Sequence, residues 1–303
     1  MADRVLITGC STGIGRALAL EFAQRGCTVL ATARTVAALA ELQQVEGIQT
    51  ARADVCEPES LVKAVKAFGA VDVCIANAGM SGFSPLVEQD LNTFDQIMRT
   101  NVTGVVATVQ AVAPGMMERR AGQLVVIGSV SGAMVTPYAG AYCASKAAVT
   151  ALCDALRMEL RPFGIGVLEV VTGAVQSNFG ANAMAKSRLP TNSRYGSLQS
   201  YVDARAQGSQ AAGSMPAADY AKIVADAALD GGVRMRVVAG GHALKYHLIG
   251  RLFPRAAWAT KISKTLGLHT LGSGGSGSAG PFLWLSLAAA CLVVAAAVWA
   301  GLP

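Results

Sequence analysis

Val5-Leu6-Ile7-Thr8 runs directly into Gly9-Cys10-Ser11-Thr12-Gly13-Ile14-Gly15. The first four residues have the length and β-branching of a strand, and the stretch after Gly15 has the apolar spacing of an amphipathic helix. Glycines at 9, 13 and 15 therefore fall in a strand-to-helix turn. Such a turn bends tightly, brings backbone N–H groups up to an anion and aims the helix dipole at it. A dinucleotide pyrophosphate is the ligand this turn implies, with Gly9, Ser11, Thr12, Gly13, Ile14 and Gly15 around it.

Outward from that turn, strand-like runs are predicted near 4–8, 28–32, 48–53, 71–76, 123–128, 165–171 and 234–239. Helical spacing is predicted over 13–26, 35–44, 58–68, 91–118, 142–161 and 216–229. Repeated βα units with right-handed crossovers give an α/β, Rossmann-type, doubly wound parallel sheet of about seven strands. Ligands then bind beyond the C-terminal strand ends. Residues 1–240 are read as this domain, and 178–215, rich in small and polar residues, as a substrate loop within it.

The end of the second strand, Ala33-Arg34, carries no carboxylate to accept from a ribose and repel an extra phosphate. Arg34 can pair with a 2′-phosphate, so NADP(H) is the expected cofactor. Asp54 and Val55, at the third strand's end, are placed at the adenine, and Asn77, at the fourth, is placed to brace backbone beside the cofactor.

Tyr142-Cys-Ala-Ser-Lys146 puts a phenol and an ammonium one helical turn apart. A cation beside a phenol favours phenolate, so Lys146 is expected to lower the Tyr142 pKa. Ser129, just past the fifth strand, is placed to hold a substrate carbonyl oxygen as charge develops. Asn101 is a poor helix former inside a long helix; it either holds a water that reprotonates the lysine or simply faces solvent.

TGxxxGxG at 8–15, Asn77-Ala78-Gly79, Asn101, Ser129 and YxxxK at 142–146 occur together at a spacing that resembles the short-chain dehydrogenase/reductase family over residues 3–240. The resemblance implies a catalytic tetrad of Asn101, Ser129, Tyr142 and Lys146, with Lys146 also on the nicotinamide ribose. It adds Ala78, Gly79, Val175 and Ser177 to the cofactor contacts and implies a homodimer. One departure is Thr172-Gly173-Ala174-Val175-Gln176-Ser177, where the family usually has Pro at the first position and Thr at the last. The downstream sequence is similar to fungal-type 1-acyldihydroxyacetone-phosphate reductases, and TGCSTGIG to 17β-hydroxysteroid dehydrogenases.

The chain has 303 residues, 52% apolar and 15% charged, which excludes a disordered chain. Its net charge of +6 is uneven: residues 1–230 carry −1 and residues 231–303 carry +7, with no acid after Asp230. A basic end beside an apolar run suits an anionic lipid surface, and nucleic-acid binding is not expected. Seven cysteines form no CxxC pair, so no metal site is expected, and a reducing cytosol suits the globular part. Residues 241–271 read as a basic amphipathic segment that is either a surface helix or an interfacial one. Residues 272–280 read as a Gly/Ser linker and 281–303 as a transmembrane anchor, whose 21 uncharged residues from Phe282 would span about 31 Å as a helix.

Together these readings predict an NADPH-dependent ketone reductase for a lipophilic substrate, anchored to a membrane with its catalytic part in the cytosol, the endoplasmic reticulum being the expected compartment. Under the resemblance the leading substrate is 1-acyl-dihydroxyacetone phosphate. Steroid, retinoid or 3-ketosphinganine reduction, or a non-catalytic NADP-sensing membrane protein, are the alternatives. Lys186, Arg188, Arg194 and Arg205 in the substrate loop are either simply solvated or include a phosphate contact, in which case Arg188 or Arg194 is the candidate.

Overall fold

The computed structural model describes residues 3–210, 212–230 and 234–272. Strands β1 (Arg4–Thr8), β2 (Thr28–Ala33), β3 (Ile48–Arg52), β4 (Val73–Ala76), β5 (Gly122–Ile127), β6 (Ile165–Thr172) and β7 (Arg236–Ala239) form one parallel sheet in the order β3-β2-β1-β4-β5-β6-β7. The predicted doubly wound sheet is present, each strand near its expected place. The helices are α1 (Gly13–Gln24), α2 (Pro58–Phe68), α3 (Leu91–Met98), α4 (Gly104–Arg119), α5 (Gly140–Leu160), α6 (Phe179–Met184), α7 (Gln199–Ala206), α8 (Ala217–Leu229), α9 (Ala243–Leu252) and α10 (Arg255–Thr265).

Alternation along the strands feeds two cores. Val5 and Ile7 of β1 pack with Leu18 and Phe22 of α1 and with Tyr220 and Val224 of α8. Leu6, between them, points the other way to Leu61 of α2, Val109 and Met116 of α4 and Val149 of α5. Full burial of each such side chain is worth about 1.5–3 kcal/mol, so a polar residue at Leu6 would cost more than any cap. The chain winds in opposite senses from β1 and from β4, and the crevice between their C-terminal ends is where such sheets bind ligands.

Two helical expectations are corrected, and the segment read as a substrate loop carries helices of its own. Residues 35–44 form two 3-10 turns, Val36–Leu39 and Leu42–Gln44, whose three-residue spacing turns Leu39 and Leu42 together into the core. The helix predicted over 91–118 is divided by a π-helical turn, Arg99–Thr103, that carries Asn101 inward. The segment 178–215 contains α6 and α7, folded over a cluster of Phe83, Tyr138, Cys143, Leu198 and Val202.

After β7 the chain folds back over the loop that precedes α5. Ala243 and Tyr246 of α9 pack with Val130 and Val171. The Trp258 indole of α10 donates to the Val135 carbonyl (2.8 Å), and the Tyr138 hydroxyl donates to the Leu266 carbonyl (2.6 Å). Among the described residues no helix is long and apolar enough to cross a membrane. The expected anchor at 281–303 lies outside the described residues, as does the linker beyond Gly272.

Candidate active site

The glycine turn is held from two sides. The Thr8 hydroxyl accepts from the Asn77 and Ala78 amides, each at 3.1 Å, while Asn77 Nδ2 donates to the carbonyls of Thr8 (2.8 Å) and Gly9 (3.2 Å). Asn77 thus braces the turn, as its place at the end of β4 implies. Gly15 is obligatory, because a Cβ there would stand 2.2 Å from the Gly9 carbonyl oxygen. Across the turn Ser177 faces Gly13 so closely that a Cβ on Gly13 would meet the Ser177 Cβ at 2.8 Å. The glycine turn and the loop after β6, with Val175 buried behind it, are therefore the walls of one cleft.

This cleft fits a dinucleotide. No side chain caps α1, whose first turn carries no acid, so its leading N–H groups remain available to an anion beside Ser11, Thr12, Gly13 and Ile14. Arg34 is exposed at the end of β2 with no ion pair among the described residues. Asp54 Oδ1 accepts from the Cys56 amide (2.9 Å), which fixes the turn at Asp54 and the buried Val55. Gly79 lies between Asn101 and Lys146: a Cβ there would be 3.4 Å from Asn101 Oδ1 and 3.9 Å from Lys146 Nζ.

The four candidate catalytic residues meet near the C-terminal ends of β4 and β5. Asn101 is fully buried, its Oδ1 accepting from the Met80 amide (2.8 Å) and its Nδ2 donating to the Met80 carbonyl and to Ser145 Oγ, both at 2.9 Å. Ser145 Oγ in turn donates to the Tyr142 carbonyl (2.7 Å). The solvent-facing alternative is excluded, and the amide is a clamp joining the 80s loop to α5. The π turn exists at the residue this clamp pulls out of helical register.

Lys146 Nζ donates to the Ile127 carbonyl (2.8 Å) and sits 5.9 Å from the centre of the Tyr142 ring. The expected control of the phenol by this ammonium is corrected accordingly. Burial dominates and pushes the Tyr142 phenol up to about 12; the Ser129 hydroxyl at its polar edge and the Arg205 guanidinium are the groups that hold it down. Burial also lowers Lys146, to about 8, because the ammonium loses water at the end of β5. Ser129 itself accepts from the Ser131 amide (3.1 Å), which fixes its position at the mouth of β5.

Of the loop cations, Lys186, Arg188 and Arg194 are exposed, and Arg205 is the partly buried one. Lys186, Arg188 and Arg194 thus face solvent, and the Arg194 backbone amide donates to Glu88 Oε1 (3.0 Å). Arg205 Nε donates to Thr136 Oγ1 (2.7 Å), and its guanidinium carbon lies 5.0 Å from the Phe83 ring centre. Sequence reasoning missed Ser145 and the Thr136–Phe83 seat of Arg205; the former was visible only as the residue before Lys146, and the latter depends on three distant segments.

The sequence profile of the family described as short chain dehydrogenase matches residues 3–188. The chain is similar to the short-chain dehydrogenase PC-15 of Penicillium crustosum, 35% identical over 271 residues that cover 87% of this chain and 97% of that protein. It is 37% identical to the NADPH-dependent 1-acyldihydroxyacetone phosphate reductase of Schizosaccharomyces pombe over 200 residues, 63% of this chain and 67% of that one. It is also 37% identical to estradiol 17-beta-dehydrogenase 1 of Rattus norvegicus over 193 residues, 58% of this chain and 55% of that one.

Proposed function

Because this chain belongs to the short-chain dehydrogenase/reductase family, oxidoreductases that act on CH–OH or C=O groups with a nicotinamide cofactor, we propose that it uses NADPH to reduce a ketone on a lipophilic substrate. The substrate favoured is 1-acyl-dihydroxyacetone phosphate, giving 1-acylglycerol 3-phosphate. The observation that carries this reading is the meeting of Ser129, Tyr142, Lys146 and Asn101 beside a glycine turn open to an anion. The similarity to the Schizosaccharomyces reductase supports the substrate, and Arg34 with no carboxylate at the end of β2 supports NADPH over NADH.

When bound, the nicotinamide supplies a hydride to the carbonyl carbon. Ser129 donates to the carbonyl oxygen as negative charge grows there. Tyr142, whose phenol stays protonated at neutral pH, gives its proton to that oxygen, a far stronger base once it becomes an alkoxide. Lys146, protonated at neutral pH and held at the Ile127 carbonyl, would hold the nicotinamide ribose, while Ser129 and Arg205 are the groups that favour the phenolate left behind. Asn101 and Ser145 keep this turn of α5 in register with the loop that follows β4.

Membrane attachment is part of the proposal. Leu244, Leu248 and Leu252 recur at four-residue spacing on α9 and are 62%, 47% and 59% exposed, beside Lys245, Arg251 and Arg255. An exposed apolar stripe flanked by cations, followed by the uncharged stretch 282–302, supports an anchored enzyme on an anionic cytosolic leaflet, with the endoplasmic reticulum as its compartment. A homodimer through α4 and α5 completes the reading.

A steroid reductase is the second reading, favoured by the similarity to the rat estradiol enzyme. The deciding experiment follows NADPH oxidation by the purified full chain with acyl-ketone phosphates, steroids, retinal and 3-ketosphinganine. Tyr142→Phe is expected to cut reduction by about a hundredfold or more while NADPH still binds. Near-normal turnover of that variant overturns the mechanism.

A further inference from the structure

Arg205 is a partly buried cation paired with no carboxylate among the described residues. Its polar anchor, Thr136 Oγ1 at 2.7 Å, is neutral, and its flat face rests on the Phe83 ring. The partly buried cation of β7 is treated differently: Arg236 is paired with the buried Glu169 carboxylate at 2.6 Å. Taking a guanidinium out of water without an anion is costly, so a fold that does this at a cleft leaves the charge for something that arrives there.

The geometry says what could arrive. One edge of the guanidinium is fixed by Nε, which leaves the Nη groups as a planar fork suited to two oxygens of one oxyanion. Phe83, under the guanidinium, packs in one cluster with Cys143, the neighbour of Tyr142 on α5, and burial disfavours the Arg205 charge while Cys143, Tyr142 and Tyr246 favour it. Arg205 is therefore seated, through Phe83 and Cys143, against the turn of α5 that carries the candidate proton donor. Lys186, Arg188 and Arg194, the other cations of the segment, are exposed.

We propose that Arg205 is the specificity-determining residue of the substrate cleft, receiving the phosphate monoester of a ketone whose carbonyl lies at Ser129 and Tyr142. This rests on the reductase reading and assigns its phosphate to one side chain. It gives a role to the packing of α7, through Val202 and Ala206 with Leu198 just before it, in a segment of little apolar periodicity: the helix positions a charge.

The test uses the full chain and two ketones that differ only in the phosphate, 1-acyl-dihydroxyacetone phosphate and 1-acyl-dihydroxyacetone. Wild type is expected to prefer the phosphate ester by tenfold or more in kcat/KM, Arg205→Gln to lose most of that preference through KM, and Arg205→Lys to keep part of it. A second readout needs no turnover: 1-acylglycerol 3-phosphate should raise the Tm of wild type in the presence of NADP+ and raise that of Arg205→Gln far less. Circular dichroism and NADPH affinity report whether the variants fold. Unchanged preference or an unchanged Tm response in Arg205→Gln overturns the assignment. Arg205-dependent binding of the phosphate ester by a protein that reduces neither ketone would instead refute the substrate reading and leave the anion site standing.

Discussion

The Thr172 and Tyr220 hydroxyls stand 2.6 Å apart, both buried, where the last residue of β6 meets α8. Thr172 occupies the position at which the family usually has proline, and the hydroxyl found there instead meets a side chain 48 residues downstream. Removing the Thr172 hydroxyl leaves the Tyr220 hydroxyl buried and unpaired, at a cost of about 1–3 kcal/mol, whereas removing the Tyr220 hydroxyl leaves Thr172 its longer bond to the Val170 carbonyl (3.3 Å). Thr172→Val should destabilise by that amount and Tyr220→Phe by less, and the double variant by clearly less than their sum. Urea unfolding of the four proteins checks this, and additive losses would mean that the two hydroxyls are not coupled.

The clamp at Asn101 predicts a split between stability and turnover. Ser145→Ala removes one acceptor from Asn101 Nδ2 and one donor to the Tyr142 carbonyl, while the two bonds to Met80 remain. A stability loss of about 1 kcal/mol is expected, seen as a Tm fall of about 2–4 °C. Reduction should fall several-fold in kcat with NADPH affinity retained, because the cofactor walls are elsewhere. Loss of NADPH binding alongside kcat would show that Ser145 supports the cleft rather than the turn of α5.

The sheet was legible because its strands are apolar runs separated by glycine turns, and the motif residues fall at strand ends, where topology alone brings Thr8, Asn77 and Ser129 together. What sequence spacing missed follows from contacts between distant segments. The π turn at Asn101 is set by Met80 and Ser145, not by local propensity. The i, i+4 argument placed Lys146 on the same helix face as Tyr142, yet the Ile127 carbonyl, on β5, decides where the ammonium rests. Arg205 looked like any loop cation until Phe83 and Thr136 supplied its seat.

Cofactor choice should turn on Arg34. Its guanidinium is exposed and unpaired among the described residues, so Arg34→Gln removes a charge-assisted contact to a 2′-phosphate and little else. Such a contact is worth about 1.5–3 kcal/mol, or roughly ten- to a hundredfold in kcat/KM for NADPH. NADH kinetics should change by much less. Equal losses with both cofactors would place Arg34 away from the 2′ position.

The buried ammonium makes stability depend on pH in a direction that can be worked out. Lys146 titrates at 10.5 in an unfolded chain and at about 8 in the fold. Below about 8 both states hold the proton, and the fold bears a constant desolvation cost of about 3 kcal/mol. Between these values the unfolded chain holds a proton that the fold does not, so this contribution makes the fold more stable as pH rises. The buried thiols of Cys10, Cys74 and Cys153 and the Tyr142 phenol, all pushed up to about 12, act oppositely above pH 9, so the lysine must be isolated by difference. Lys146→Met removes the ammonium and with it one bond to the Ile127 carbonyl, itself worth about 1 kcal/mol. The variant should therefore be more stable than wild type at pH 7, and its advantage should shrink as pH rises past 8 and reverse before 10.5, where only the lost bond remains. Paired urea titrations at pH 7, 8.5 and 10 read the gap directly; a gap that does not change with pH would show that the ammonium keeps its water in the fold.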